Sequence, residues 1–177
     1  MKLKHWGVIT ALAGLAILTA CKTTRHDLAL APVQNFDSDR YLGKWYELGR
    51  IENRFEKGMN QTTAQYSLNE DGSIKVVNAG YDPAKGKFRS STGKAKFAEG
   101  SNVGALKVSF FGPFYGAYNI VALDRNYQWS IVAGDNPKKY FWVLSRQPKL
   151  TSALKSEAAK VAKTLGVDPS TIIWVEQ

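Results

Sequence analysis

From Gly43 onward the chain is punctuated by turn residues at intervals of about ten, and between them lie short runs rich in β-branched and aromatic side chains. Eight such runs cover residues 43–51, 61–68, 74–81, 91–98, 104–111, 117–123, 129–134 and 140–146. Links this short leave no room for the crossovers that parallel neighbours require. The pattern therefore predicts an antiparallel barrel or sandwich rather than an α/β fold. Asn69-Glu70-Asp71-Gly72 puts a glycine where positive φ is wanted, and Asp82-Pro83-Ala84-Lys85-Gly86 and Asp135-Asn136-Pro137 make two further reversals. Residues 52–60 are the exception, a longer connection carrying Phe55 and Met59 among charges. It reads either as a lid or as a plain surface loop.

One helix follows the last of these runs. Pro148 ends the run and Thr151 can cap, while Leu150, Leu154, Ala158, Val161 and Leu165 recur at helical spacing before Gly166. Its apolar stripe needs a sheet wall to cover, and a last strand, Thr171 to Val175, returns along the sheet.

The other end of the chain is of a different kind. Lys2 and Lys4 precede an apolar run from Val8 to Ala20 that is too short to span a bilayer, the pattern of a secretory leader over residues 1–20. Polar, Pro-containing residues 22–36 then read as a tether before the domain over 37–177. The net charge of +9 falls by two, to +7, when Lys2 and Lys4 leave with the leader. The basic residues are scattered and the chain is exported, which points away from nucleic acid and toward lipid head groups.

Leu18-Thr19-Ala20-Cys21 resembles a bacterial lipobox, which implies cleavage before Cys21, the single cysteine, and lipid on its sulfur and new amino group. Lys22 after it, in place of Asp, is similar to lipoproteins released to the outer membrane. Gly43-Lys44-Trp45-Tyr46-Glu47 resembles the Gly-x-Trp motif of lipocalins, with Leu123-Asp124-Arg125-Asn126-Tyr127 and Arg146 at matching places. The order of eight strands, helix and short strand is similar to that family from Phe36 to Gln177. Tyr41 to Glu47, Lys107 to Gly116 and Trp142-x-Leu144-Ser145-Arg146 look like the bacterial lipocalins, outer-membrane lipoproteins related to apolipoprotein D. Leu123 and Arg125 around Asp124 depart from the usual Thr-Asp-Tyr. The resemblance implies an all-β fold, an eight-stranded up-and-down antiparallel barrel with a helix packed outside and a short final strand. It also implies anchorage at the outer membrane, facing the periplasm, and storage or transport of fatty acids or lysophospholipids in membrane biogenesis or repair under stress.

A barrel of this size needs one end closed. Gly43, Trp45, Asp124 and Arg146 are the expected closure, with the Arg146 guanidinium stacked on the Trp45 indole from the neighbouring strand. Strand alternation then puts Tyr140, Trp142 and Leu144 on the inward face with Arg146. It adds Ala64 and Tyr66, Val76 and Asn78, Val108 and Phe110, and Tyr118, Ile120 and Ala122. This lining is apolar with a few hydroxyl and amide groups, the profile of a pocket for one chain-like ligand with a polar end.

Catalytic groups are scarce. His5 lies in the leader and His26 in the tether, the sole thiol is expected to be acylated, and no metal-ligand cluster or phosphate loop is present. No cofactor or metal is expected and the reading is of a carrier, not an enzyme. Glu47 shares the inward phase of Trp45 and is either a raised-pKa acid or the partner of a barrel lysine or tyrosine hydroxyl. A lipid-modifying enzyme and a ligand-free envelope scaffold are the alternatives, and a homodimer is left open.

Overall fold

In the computed structural model, which describes residues 29–177, eight strands follow one another up and down: β1 (Gly43–Ile51), β2 (Asn60–Leu68), β3 (Ile74–Asp82), β4 (Lys87–Phe97), β5 (Ala105–Phe111), β6 (Phe114–Leu123), β7 (Trp129–Ala133) and β8 (Phe141–Ser145). Each pairs antiparallel with the next, and β1 pairs with both β8 and β2, so the sheet closes into a barrel. A short helix α1 (Ser38–Tyr41), capped by the Asp37 side chain, leads into β1. Helix α2 (Ser152–Thr164) and strand β9 (Ile172–Trp174) finish the chain. Thr151 accepts from Leu154 N as the N-cap of α2, and Gly166 takes φ +70 beyond its end.

Two apolar cores lie on opposite faces of the same wall. One fills the barrel and includes Trp45, Ala64, Tyr66, Val76, Leu106, Ile120, Val132 and Leu144. The other lies outside, where Leu48, Val121, Ile131, Phe141 and Val143 meet Leu154, Ala158, Val161 and Ala162 of α2. Strands β7 and β8, buried on both faces, are accordingly the least polar.

Three features depart from the sequence reading. Residues 30–36 are not a loose tether: Leu30 and Val33 pack on the two cores, Val33 bonds to Ile120 and Gly104, and Phe36 is buried. Cys21 and the expected leader over 1–20 lie outside the described residues. Bulges between Glu47 and Gly49 and between Ile120 and Ala122 reset the alternation. Ala122 therefore faces the outer core, not the lumen, and Leu123 turns in. Strands β4 and β6 also begin earlier than expected, at Lys87 and Phe114, because the hairpins joining them to β3 and β5 are tight.

The wall is incompletely laced toward the end where β1 finishes. Pairing of β1 with β2 stops at Tyr46, and beyond it β9 takes up Gly49 to Ile51. The chain terminus fills that gap, with Gln177 Nε2 donating to the carbonyls of Glu47 and Thr62. Strand β4 meets β5 only over Lys94 to Phe97, so its first half outruns its neighbour.

Candidate functional site

The barrel interior has a closed end and an open end. At the closed end Trp45 is wholly buried, its Nε1 donating to the Tyr41 carbonyl at 2.8 Å. The Arg146 guanidinium carbon lies 3.8 Å from the centre of its ring. The same guanidinium donates to the carbonyls of Lys44 at 2.8 Å, Arg40 at 2.8 Å and Leu42 at 2.9 Å. Arg146 thus ties the end of β8 to the turn that enters β1 as well as covering the indole. Gly43 explains itself here: it adopts φ +93, and a Cβ would come within 3.3 Å of Arg146 Nη1. Asp124 Oδ2 accepts from the backbone of Asn126 and Gln128, fixing the β6–β7 turn at this end.

Above that floor sits a layer of tyrosines. Tyr118 hydroxyl is 2.9 Å from Tyr41 hydroxyl and 2.8 Å from Tyr66 hydroxyl, and Tyr41 reaches Ser130 Oγ at 3.1 Å. Burial pushes the Tyr41 phenol up to about 12 and holds Tyr66 and Tyr118 well above the ordinary value near 10. The layer stays neutral and satisfies itself. Tyr66 and Tyr118 therefore spend their hydroxyls on one another, and their rings are the base of the lumen.

Along the walls, Ala64 and Asn78 pair across β2 and β3, Val76 pairs with Tyr66, and Ala95 with Val108. Ile120, on β6, lies opposite Val132. Phe110 turns in over Gly93, where a Cβ would lie 2.8 Å from its ring, so glycine is what admits the phenyl group. Trp142 packs toward the same interior with its ring stacked on Tyr140 at 6.1 Å, and Tyr140 itself sits just ahead of β8 at the mouth. Asn60 Oδ1, Thr62 Oγ1 and Asn78 Oδ1 are buried on β2 and β3 without a hydrogen-bond partner. Buried acceptors of this kind ask for a donor from a bound molecule or water. Where β4 outruns β5 a hollow of about 400 Å³ opens on the wall beside Gly93, Ser109, Phe110 and Tyr115, flanking the same Phe110 ring.

The mouth holds a charged group that alternation alone did not reveal. The bulge after Glu47 turns Arg50 inward, 1 % exposed. Its Nη1 donates to Glu47 Oε1 at 3.0 Å and its Nη2 to the carbonyls of Glu56 and Met59, each at 2.9 Å. Glu47 is therefore partnered by an arginine of its own strand, not by a lysine or tyrosine hydroxyl. Burial first, and the Glu56 charge second, push the Glu47 carboxyl up to about 8 against the pull of Arg50. The Thr62 hydroxyl leans on the same carboxyl outside good hydrogen-bond geometry. Glycine at position 49, inside a strand, was the available signal for the bulge.

Residues 52–59 are fastened over this mouth. Glu56 Oε2 accepts from Asn53 Nδ2 at 2.7 Å and from Trp142 Nε1 at 3.1 Å. Met59 Cε lies against Gly80, where a Cβ would be 2.9 Å away. The loop so links β1, β3 and β8. Among the described residues there is no histidine and no cluster of potential metal ligands.

Residues 36–177 match the Lipocalin-like domain family. The chain is 44 % identical over 170 residues to Outer membrane lipoprotein Blc of Escherichia coli K12, covering 96 % of each chain. It is 44 % identical over 150 residues to the protein of the same name from Vibrio cholerae, covering 84 % of this chain and 87 % of that one. Rat apolipoprotein D is 37 % identical over 131 residues, 67 % of this chain and 66 % of its own. Among solved structures, insecticyanin from the tobacco hornworm superposes with a TM-score of 0.66 at 21 % identity, covering 84 % of each chain, which is a likeness of fold.

Proposed function

Because this chain belongs to the lipocalin family and is an outer-membrane lipoprotein of it, we propose that its barrel carries one single-chain lipid, a fatty acid or lysophospholipid, held at the membrane by acyl groups on Cys21. Lipocalins in general are binding and transport proteins. The observation that carries the finer reading is the pair of unpartnered buried acceptors Asn60 and Asn78 in a barrel whose tyrosine floor satisfies itself. An acyl chain suits the apolar walls formed by Val76, Val108, Phe110 and Ile120, and the polar end suits the mouth, where Arg50 and Trp142 lie. An eight-stranded barrel has bore for one chain more readily than two. Burying a dozen methylenes contributes on the order of 10 kcal/mol before the cost of immobilisation, which is compatible with micromolar binding. A role in membrane biogenesis or repair fits a carrier tethered at this site.

Tryptophan fluorescence tests it. Titration with a lysophospholipid should quench emission in a saturable way, and Trp142→Phe should remove much of the change. Full quenching in Trp142→Phe, or no change in the native protein, contradicts a chain seated beside this ring.

A further inference from the structure

Among the described residues, the exposed aromatic side chains gather at the open end of the barrel. Phe55, Phe88, Phe111 and Phe114 are all at least half exposed, and they lie on or beside the β1–β2, β3–β4 and β5–β6 connections, which share that end. Phe111 and Phe114, at 70 % and 79 % exposure, face one another across the tight β5–β6 turn. Phe88 rests edge-on against Tyr81 at 5.4 Å and Phe55 lies under the Arg54 guanidinium at 4.8 Å. Among the described residues at the closed end, Leu68 is the one large apolar side chain that is exposed, of the ordinary scattered kind.

Cations share that end with the rings. Lys57, Lys85, Lys87, Lys138 and Lys139 are exposed on the connections of the same end. Three of the acids there are turned to other work: Glu52 bonds to Arg50, Glu56 to Asn53 and Trp142, and Asp82 to Arg89. The rim is thus aromatic and positive together. Aromatic side chains favour the interfacial layer of a bilayer, and lysines are drawn to anionic head groups. The chain also reaches: Leu30 already packs on the outer core, so nine residues separate Cys21 from the barrel, a contour of up to about 30 Å. A nine-residue strand also spans about 30 Å, so an anchored Cys21 can lie level with the open end.

We propose that the open rim is a second membrane contact, which docks the barrel mouth-first on an anionic phospholipid bilayer. Phe55, Phe88, Phe111 and Phe114 enter the head-group layer, and the lysines of the same end meet lipid phosphates. The proposal goes beyond the carrier reading and needs no ligand in the barrel.

The full lipidated chain, reconstituted in vesicles of phosphatidylethanolamine and phosphatidylglycerol, provides the test. An environment-sensitive fluorophore is placed by Gly112→Cys, where an added Cβ meets nothing within 4 Å, and separately by Glu70→Cys in the exposed turn at the closed end. The probe at 112 should shift to the blue and be quenched by lipids brominated near the head group, while the probe at 70 stays water-like. Phe111→Ser combined with Phe114→Ser should return the 112 probe to the water-like state, and phosphatidylcholine vesicles or high salt should weaken its shift. Equal behaviour of the two probes, or a shift that survives the double serine variant, overturns the proposal. A shift that follows protein density rather than lipid charge assigns the rim to a second copy of the chain and overturns it equally. A water-like 112 probe on protein that retains lipid refutes the docking alone; docking without retained lipid refutes the carrier alone.

Discussion

Glu47 and Arg50 set the most unusual electrostatics of the molecule, an acid and a base buried together at the mouth of an apolar tube. With Glu47 raised to about 8 from an ordinary value near 4.5, the folded protein keeps a proton that the unfolded chain releases above pH 4.5. Stability therefore falls as pH rises from about 4.5 to 8 and levels off beyond, by at most about 1.4 kcal/mol per unit. In Glu47→Gln this slope should disappear, so the variant gains on the native protein with rising pH in thermal melts between pH 5 and 9. A native profile parallel to the variant's would mean that Arg50 holds Glu47 ionised throughout. Removing the arginine is harsher. Arg50→Met leaves the Glu56 and Met59 carbonyls without their donor, with an expected loss of about 2–5 kcal/mol in urea unfolding. At the other end, Trp45→Ala should cost about 3–5 kcal/mol, and Arg146→Ala less, since its carbonyl partners lie where water can replace it. An Arg146→Ala protein of native stability that binds no lipid would make this residue a head-group ligand instead.

At the scale of elements, the number and order of strands were legible because each hairpin is marked by its own turn residues and each run by β-formers. The helix was legible from one stripe, Leu154, Ala158 and Val161, and from its Thr151 cap. Thr151→Ala should cost about 1 kcal/mol, read from the unfolding midpoint. The inward phase of β2 and β5 is equally plain, since polar and apolar residues alternate there, and β3 follows from its Ile74-Lys75-Val76 start. It failed on β1 and β6, where bulges shift the register by one. Ile120-Val121-Ala122-Leu123 is apolar throughout, so nothing in its composition betrays the shift that turns Ala122 out. The same blindness hid Arg50 as the partner of Glu47. The tether was misjudged for a different reason: Val33 and Phe36 stand in a polar context, and only the groove beside β5 and β6 gives them a place to pack. Gly93 tests how strictly the wall is built. Gly93→Ala would set a Cβ 2.6 Å from the Ser109 carbonyl oxygen, so it should loosen the β4–β5 seam and weaken lipid binding before it lowers overall stability much.

For the whole molecule, the two cores share one wall and divide the labour. The outer core under α2 covers the second face of β7 and β8, and the inner one leaves unpartnered acceptors on β2 and β3. That asymmetry is what the proposed carrier would use: a cup closed by Trp45 and Arg146 whose walls on β2 and β3 still have polar groups to satisfy. The most direct test is mass spectrometry of the protein released intact from membranes in a mild detergent. It should carry up to one fatty acid or lysophospholipid per barrel, displaced by added lysophospholipid and lost when Asn78 and Val108 are both replaced by bulkier side chains. Protein that emerges with no bound lipid and takes none up would contradict the account at its centre.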